Sequence, residues 1–102
     1  MKACCEKYLA ELLGDDVDLM FEIYEEYVRS VHEKKRLLTE ALHSENWKSA
    51  NEISKALKGN ALASGDNEMA DAAVFAAEAV NRHDKEACLR QIARIEELAA
   101  QF

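Results

Sequence analysis

Three lysines, Lys48, Lys55 and Lys58, sit close together in a strongly acidic chain. On a helix, Asn51, Lys55, Lys58, Gly59 and Leu62 share one face, and Lys48 stands two turns before Lys55 on the same side. Ile53, Leu57 and Ala61 lie opposite, so the lysine face is expected to meet solvent. Ammonium groups there can hold a carboxylate or a phosphoryl oxygen. They are poor nucleophiles, because an exposed lysine is protonated near neutral pH and its lone pair is occupied. Gly59 stands out among them. A glycine inside a helix costs ~1 kcal/mol against alanine, so an exposed one calls for a reason.

The other reactive residues carry weaker patterns. His32 stands four residues before Arg36. His43 ends a helix, where the dipole favours positive charge. His83 lies in a tight connection beside Asp84. None has a Lys-Gly pair three and four residues on, and no two have zinc-ligand spacing. Cys4, Cys5 and Cys88 contain no Cys-x-x-Cys pair and are expected as buried or half-exposed free thiols. Acylation of Cys4 or Cys5 has no basic or amphipathic flank to support it. Glu22, Glu25, Glu26 and Glu33 read as a solvated face. There is no phosphate-cradling glycine loop and no nucleophile–base pair, so nothing points to an enzyme, a cofactor or a metal.

The elements that must position the lysine face are helices. With no proline, three glycines and many Ala and Leu residues, the composition favours helix over strand. A first short helix is expected over Ala3–Leu13, stopped by Gly14. Asp15 or Asp16 caps a long second helix, Val17–His43, with Val17, Met20, Phe21, Tyr24, Val28, Val31, Leu38 and Leu42 as its apolar stripe. That stripe breaks for one turn at Lys34-Lys35. Ser44 is expected to cap a third helix from Glu45 to about Ser64, with Trp47, Ala50, Ile53, Leu57 and Ala61 inward. Gly65 ends it. Asp66 or Asn67 opens a fourth, to about Arg82, burying Met69, Ala72, Ala73, Ala76 and Val80. Asp84 caps a fifth, ending near Gln101, with Cys88, Leu89, Ile92, Ile95 and Leu98 apolar. Short links between long amphipathic helices predict one domain over residues 1–102: an all-α, antiparallel up-and-down four-helix bundle with a short extra N-terminal helix, monomeric.

Charge and hydropathy narrow the partners. A net charge of −7 argues against nucleic acid or an anionic membrane. No apolar run approaches the ~18 residues that span a bilayer. The first residues lack an apolar signal-peptide core, so the cytoplasm is the expected compartment.

The segment Lys55-Ala56-Leu57-Lys58-Gly59, followed by Gly65, resembles the active-site helix of histidine-containing phosphotransfer (HPt) domains. That family shows histidine, any residue, Leu, Lys, Gly, and a further Gly six residues on. The run Gly14–Phe21, the pair Asn46-Trp47 and Asp84 at the last helix extend the resemblance over nearly the whole chain, in pattern more than identity. Position 55 departs from it: the family's phosphate-accepting histidine is lysine here. The resemblance implies a two-component phosphorelay module. Its partner would be the receiver domain of a response regulator or hybrid histidine kinase, whose acidic magnesium-binding pocket Lys55 and Lys58 complement. Gly59 would admit the partner's backbone. The departure implies a pseudo-HPt domain that binds a receiver domain, or a kinase that normally engages one, without carrying phosphate, as competitor or adaptor. Two alternatives stand beside it. One is an active phosphocarrier that uses another histidine or carries an engineered lysine at 55. The other is an unrelated helical-bundle interaction protein.

Overall fold

A computed structural model describes all residues from Met1 to Phe102. It is all-helical: α1 (Ala3–Leu13), α2 (Val17–His43), α3 (Trp47–Ala63), α4 (Asn67–Asn81) and α5 (Lys85–Ala99). α2 packs on α3 and α5, α4 packs on α3 and α5, and α1 lies against α2. The long dimension, 45 Å, is set by α2, whose 27 residues at ~1.5 Å rise span about 40 Å. No helix is long and apolar enough to cross a membrane.

The core divides into two clusters. One gathers Met20 to Val31 of α2, Leu57 and Ala61 of α3, Met69 to Ala73 of α4, Ile95 to Ala99 of α5, and Cys5 and Leu9 of α1. The other gathers Leu38 to Leu42, Ala50, Ala76 to Val80, and Ala87 to Ile92. In α2 the division falls where Lys34 and Lys35 interrupt the apolar stripe. Lys35 there reaches Glu96 of α5 at 3.6 Å. In α3 it falls at Ser54, which is fully buried and returns its hydroxyl hydrogen to the Ala50 carbonyl at 2.9 Å.

The α2 and α5 stripes need correction, and the α4 stripe is wider than expected. Val17 and Phe21 are about half exposed, at 51% and 48%, while Tyr27 is buried. The buried series Met20, Tyr24, Tyr27, Val31 follows unbroken four-three spacing, rotated from the expected stripe. Leu89 of α5 is likewise exposed, and Ala87 and Ala99 are buried instead. α4 buries Ala70 and Ala79 beside the expected residues.

Three connections share one design, which corrects the expected start of α3. Asn46, not Ser44, caps that helix, accepting from the Ser49 N–H at 3.2 Å. Ser44 is instead the last residue of the preceding helical end. Glu45, Gly65 and His83 take positive φ of 54°, 75° and 53°. The following Asn46, Asp66 and Asp84 donate their N–H groups back to the Ala41, Ala61 and Ala79 carbonyls at 2.8–2.9 Å. Each is a Schellman stop whose last residue also caps the next helix. Glutamate and histidine at two of the left-handed positions hid this pattern.

Only Gly65 of the three is sterically required. A Cβ there would stand 2.3 Å from Tyr8 Cβ of α1, whereas Glu45 and His83 carry side chains in the same backbone conformation. Gly65→Ala is therefore expected to push α1 off the bundle and cost about 2–4 kcal/mol, from overpacking plus the left-handed penalty. Urea unfolding of the variant checks this; a change under about 1 kcal/mol would show that α1 yields freely.

Candidate functional site

The lysine face is built from its buried side outward. Ala50, Leu57 and Ala61 are fully buried and anchor α3. On one flank Asn60 Nδ2 donates to Ser30 Oγ of α2 at 2.6 Å. At the N-terminus Trp47 stacks on His83, ring centroids 4.6 Å apart and nearly parallel, which ties α3 to the α4–α5 turn. α3 is thus tied to the bundle near both ends and along its buried side.

Lys48, Lys55, Lys58 and Gly59 are exposed on that face, and Leu62 is 47% exposed. None of the three lysines joins any of the chain's ion pairs, so their charges have no partner within the molecule. Glu52, exposed one turn after Lys48 and just before Lys55, adds a negative charge within the positive stripe. Asn51 departs from expectation: it is half-buried, and its Oδ1 is buried with no hydrogen-bond partner. It flanks the face more than it forms it. Leu62 lines a groove of about 320 Å³ with Cys4, Lys7, Tyr8 and Glu11 of α1, so α1 borders one end of the face.

The two glycines of the motif separate here. Gly65 has its internal reason in Tyr8. Gly59 has none: its φ is not in the positive range, and a Cβ there would meet nothing within 4 Å. Gly59→Ala is accordingly expected to stabilise the fold by about 0.5–1 kcal/mol. A denaturation midpoint that fell on this substitution would mean that the helix needs the glycine after all.

The other reactive groups are dispersed. His32 is exposed, with its ring edge toward Phe102 at 6.3 Å, and His43 is exposed at the end of α2. His83 is held in its left-handed turn against Trp47. The cysteines are free: Cys4 exposed, Cys5 and Cys88 buried. Burial pushes both buried thiols up, Cys5 to about 12 with Cys4 and Asp66 adding to the effect.

The most elaborate polar arrangement lies away from the lysine face, around Asp66, which is fully buried. One oxygen accepts from Lys2 Nζ at 2.9 Å and from the Met69 N–H at 3.3 Å. The other accepts from the Tyr27 hydroxyl at 2.8 Å. The Lys2 N–H donates to the Tyr24 hydroxyl at 3.0 Å, and Lys2 Nζ lies 5.7 Å from the centre of the Phe102 ring. Burial, then the hydrogen bond to the Asp66 carboxylate, raises the Tyr27 phenol far above its ordinary range. Every polar group here is paired within the network, which marks it as a structural latch joining α1, α2 and α4. Asp66 is one of the two caps the sequence suggests for α4, whereas nothing local in the sequence marks Lys2.

No protein-family model, no curated protein and no solved structure matches the chain.

Proposed function

We infer that this chain is an HPt-like interaction module of two-component signalling that binds a receiver domain through α3 and does not carry phosphate. The observation that carries the reading is Gly59. It weakens α3, sits on an exposed face next to Lys58 and one turn after Lys55, both unpaired, and answers to nothing inside the molecule. A partner's backbone in close contact with α3 would supply the missing reason. Leu57, Lys58 and Gly65 at the family's spacing support the same reading. The lysines would face the acidic pocket of a receiver, and Leu62 would add apolar contact at the α1 end.

The fold that accompanies this function is an antiparallel up-and-down four-helix bundle of α2–α5, with α1 appended. Its support is the alternation within the two core clusters. The first takes the early part of α2 and α4 with the late part of α3 and α5, and the second takes the reverse. Three-residue connections suit the same arrangement.

Loss of phosphotransfer follows from position 55. A histidine acceptor presents a neutral imidazole nitrogen near pH 7, whereas an exposed lysine amine is protonated. Incubation with a phosphorylated receiver domain or an autophosphorylated histidine kinase tests this. The wild-type chain is expected to take up no acid-labile phosphate, and Lys55→His to take it up measurably. Label on His32, His43 or His83 of the wild type, at rates matching Lys55→His, would overturn the non-carrier reading.

A further inference from the structure

Cys4 and Cys5 are neighbours in the first turn of α1, with Sγ atoms 4.0 Å apart. Cys4 is exposed and opens onto the groove beside Leu62, while Cys5 is fully buried. Two residues before Cys4, Lys2, 7% exposed, forms the one ion pair of the chain with both partners buried, with Asp66. Cys4 Sγ is itself 4.0 Å from the same Asp66 oxygen. The lysine-face reading uses none of these groups.

We propose that Cys4 and Cys5 are a peroxide-oxidised dithiol, whose closure to a vicinal disulfide opens the first turn of α1 and draws Lys2 away from Asp66. In the first step the Cys4 sulfur attacks a hydroperoxide oxygen. An S–O bond forms, the O–O bond breaks, and the alcohol or water leaves with the thiol proton. Cys4 is now a sulfenic acid, oxidised by two electrons as the peroxide is reduced. In the second step Cys5 Sγ attacks Cys4 Sγ. The S–S bond forms, the S–O bond breaks, and hydroxide leaves as water with the Cys5 proton.

The helix resists the second step, and that resistance is what couples oxidation to structure. Neighbouring Cα atoms are ~3.8 Å apart, below the ~4.4–6.8 Å usual for a disulfide. The sulfurs must also approach to ~2.05 Å. The helical bond from the Glu6 N–H to the Lys2 carbonyl, 3.0 Å long, spans the turn that must deform. Burial, with Cys4 and Asp66 adding to it, pushes the Cys5 thiol up to about 12, which disfavours the attacking thiolate. Closure therefore waits on opening of the turn, and the Lys2–Asp66 pair acts as its latch.

The test treats the whole chain with hydrogen peroxide and follows intact mass, the tryptic peptide Ala3–Lys7 and the melting temperature. The expected product is about 2 Da lighter, with the change in that peptide and reversal by dithiothreitol. Its Tm is expected to fall by at least about 5 °C. Cys4→Ser and Cys5→Ala should abolish the product, and Cys88→Ser should not. Lys2→Met, which removes the latch, should speed closure at least about tenfold. Oxidation of Cys4 to a sulfinic acid or to a disulfide-linked dimer with Cys5 untouched would overturn the proposal. So would a vicinal disulfide that leaves Tm unchanged.

Discussion

Asp66→Ala is expected to lose about 3–5 kcal/mol of folding stability, the largest effect of any single substitution considered. The carboxylate is fully buried and answers three donors: the Lys2 ammonium, the Tyr27 hydroxyl and the Met69 N–H. Removing it deletes the α4 cap, for which alanine substitution ordinarily costs ~1 kcal/mol. It also leaves a buried ammonium without a counter-charge and a buried phenol without an acceptor. Against a total of about 5–15 kcal/mol for a domain of this size, such a loss is a third or more of the stability for most of that range. Asp66→Asn keeps an oxygen for the cap and should cost less. Asp84→Ala removes a half-buried cap with no ion pair, and should cost only about 0.5–2 kcal/mol. Lys2→Met alone strands the carboxylate, so Lys2→Met with Asp66→Asn should be markedly less damaging than the sum of the two. Urea denaturation of the wild type and these five variants decides the matter. Additive losses, or an Asp66→Ala cost no larger than that of Asp84→Ala, would show that the buried pair contributes little.

Gly59→Arg is expected to weaken receiver binding by at least about 100-fold, which is ~2.7 kcal/mol, without unfolding the bundle. Both halves of the expectation come from the same geometry. The space over Gly59 is open, so a long side chain meets nothing in the chain itself, and arginine is a far better helix former than glycine. A partner seated close to the α3 backbone would meet it directly. Lys55→Glu should act differently. Reversing a rim charge changes steering, so association should slow by about tenfold and become less salt-sensitive, with a smaller change in dissociation. The presence of Glu52 beside Lys55 makes the local field weaker than three lysines alone would give. Circular dichroism, with surface-based kinetics at two salt concentrations, separates a docking defect from a folding defect. Unchanged affinity in Gly59→Arg would remove this face from the interface.

How much of this was legible in the sequence depended on whether the relevant force was local. Helix positions were readable because amphipathic spacing and Asp caps are local signals, and Asp16 and Asp84 cap as expected. The exposure of Lys48, Lys55, Lys58 and Gly59 followed from spacing against Leu57 and Ala61. The α2 register was readable only in part. Phe21 and Val28 are as apolar as Met20 and Val31, and nothing near them in the chain shows that Tyr27 finds a carboxylate partner 39 residues away. Lys2 was invisible for the same reason, since a lysine near a chain's start ordinarily reads as solvated. The left-handed turns at Glu45 and His83 were hidden because neither residue announces that conformation. Gly65 announced a helix stop correctly, but its steric necessity resides in Tyr8, on another helix.

The most direct measurement of the central claim is an NMR titration of the isotope-labelled chain with magnesium-loaded receiver domains of its own organism. At least one receiver is expected to bind and to perturb amides chiefly over Lys48–Leu62, centred on Gly59, with Gly59→Arg abolishing the shifts. Perturbations centred on α5 or on the outer surface of α4 around the exposed Phe75, or no binding by any receiver in the set, would contradict the assignment of α3 as a receiver-docking face.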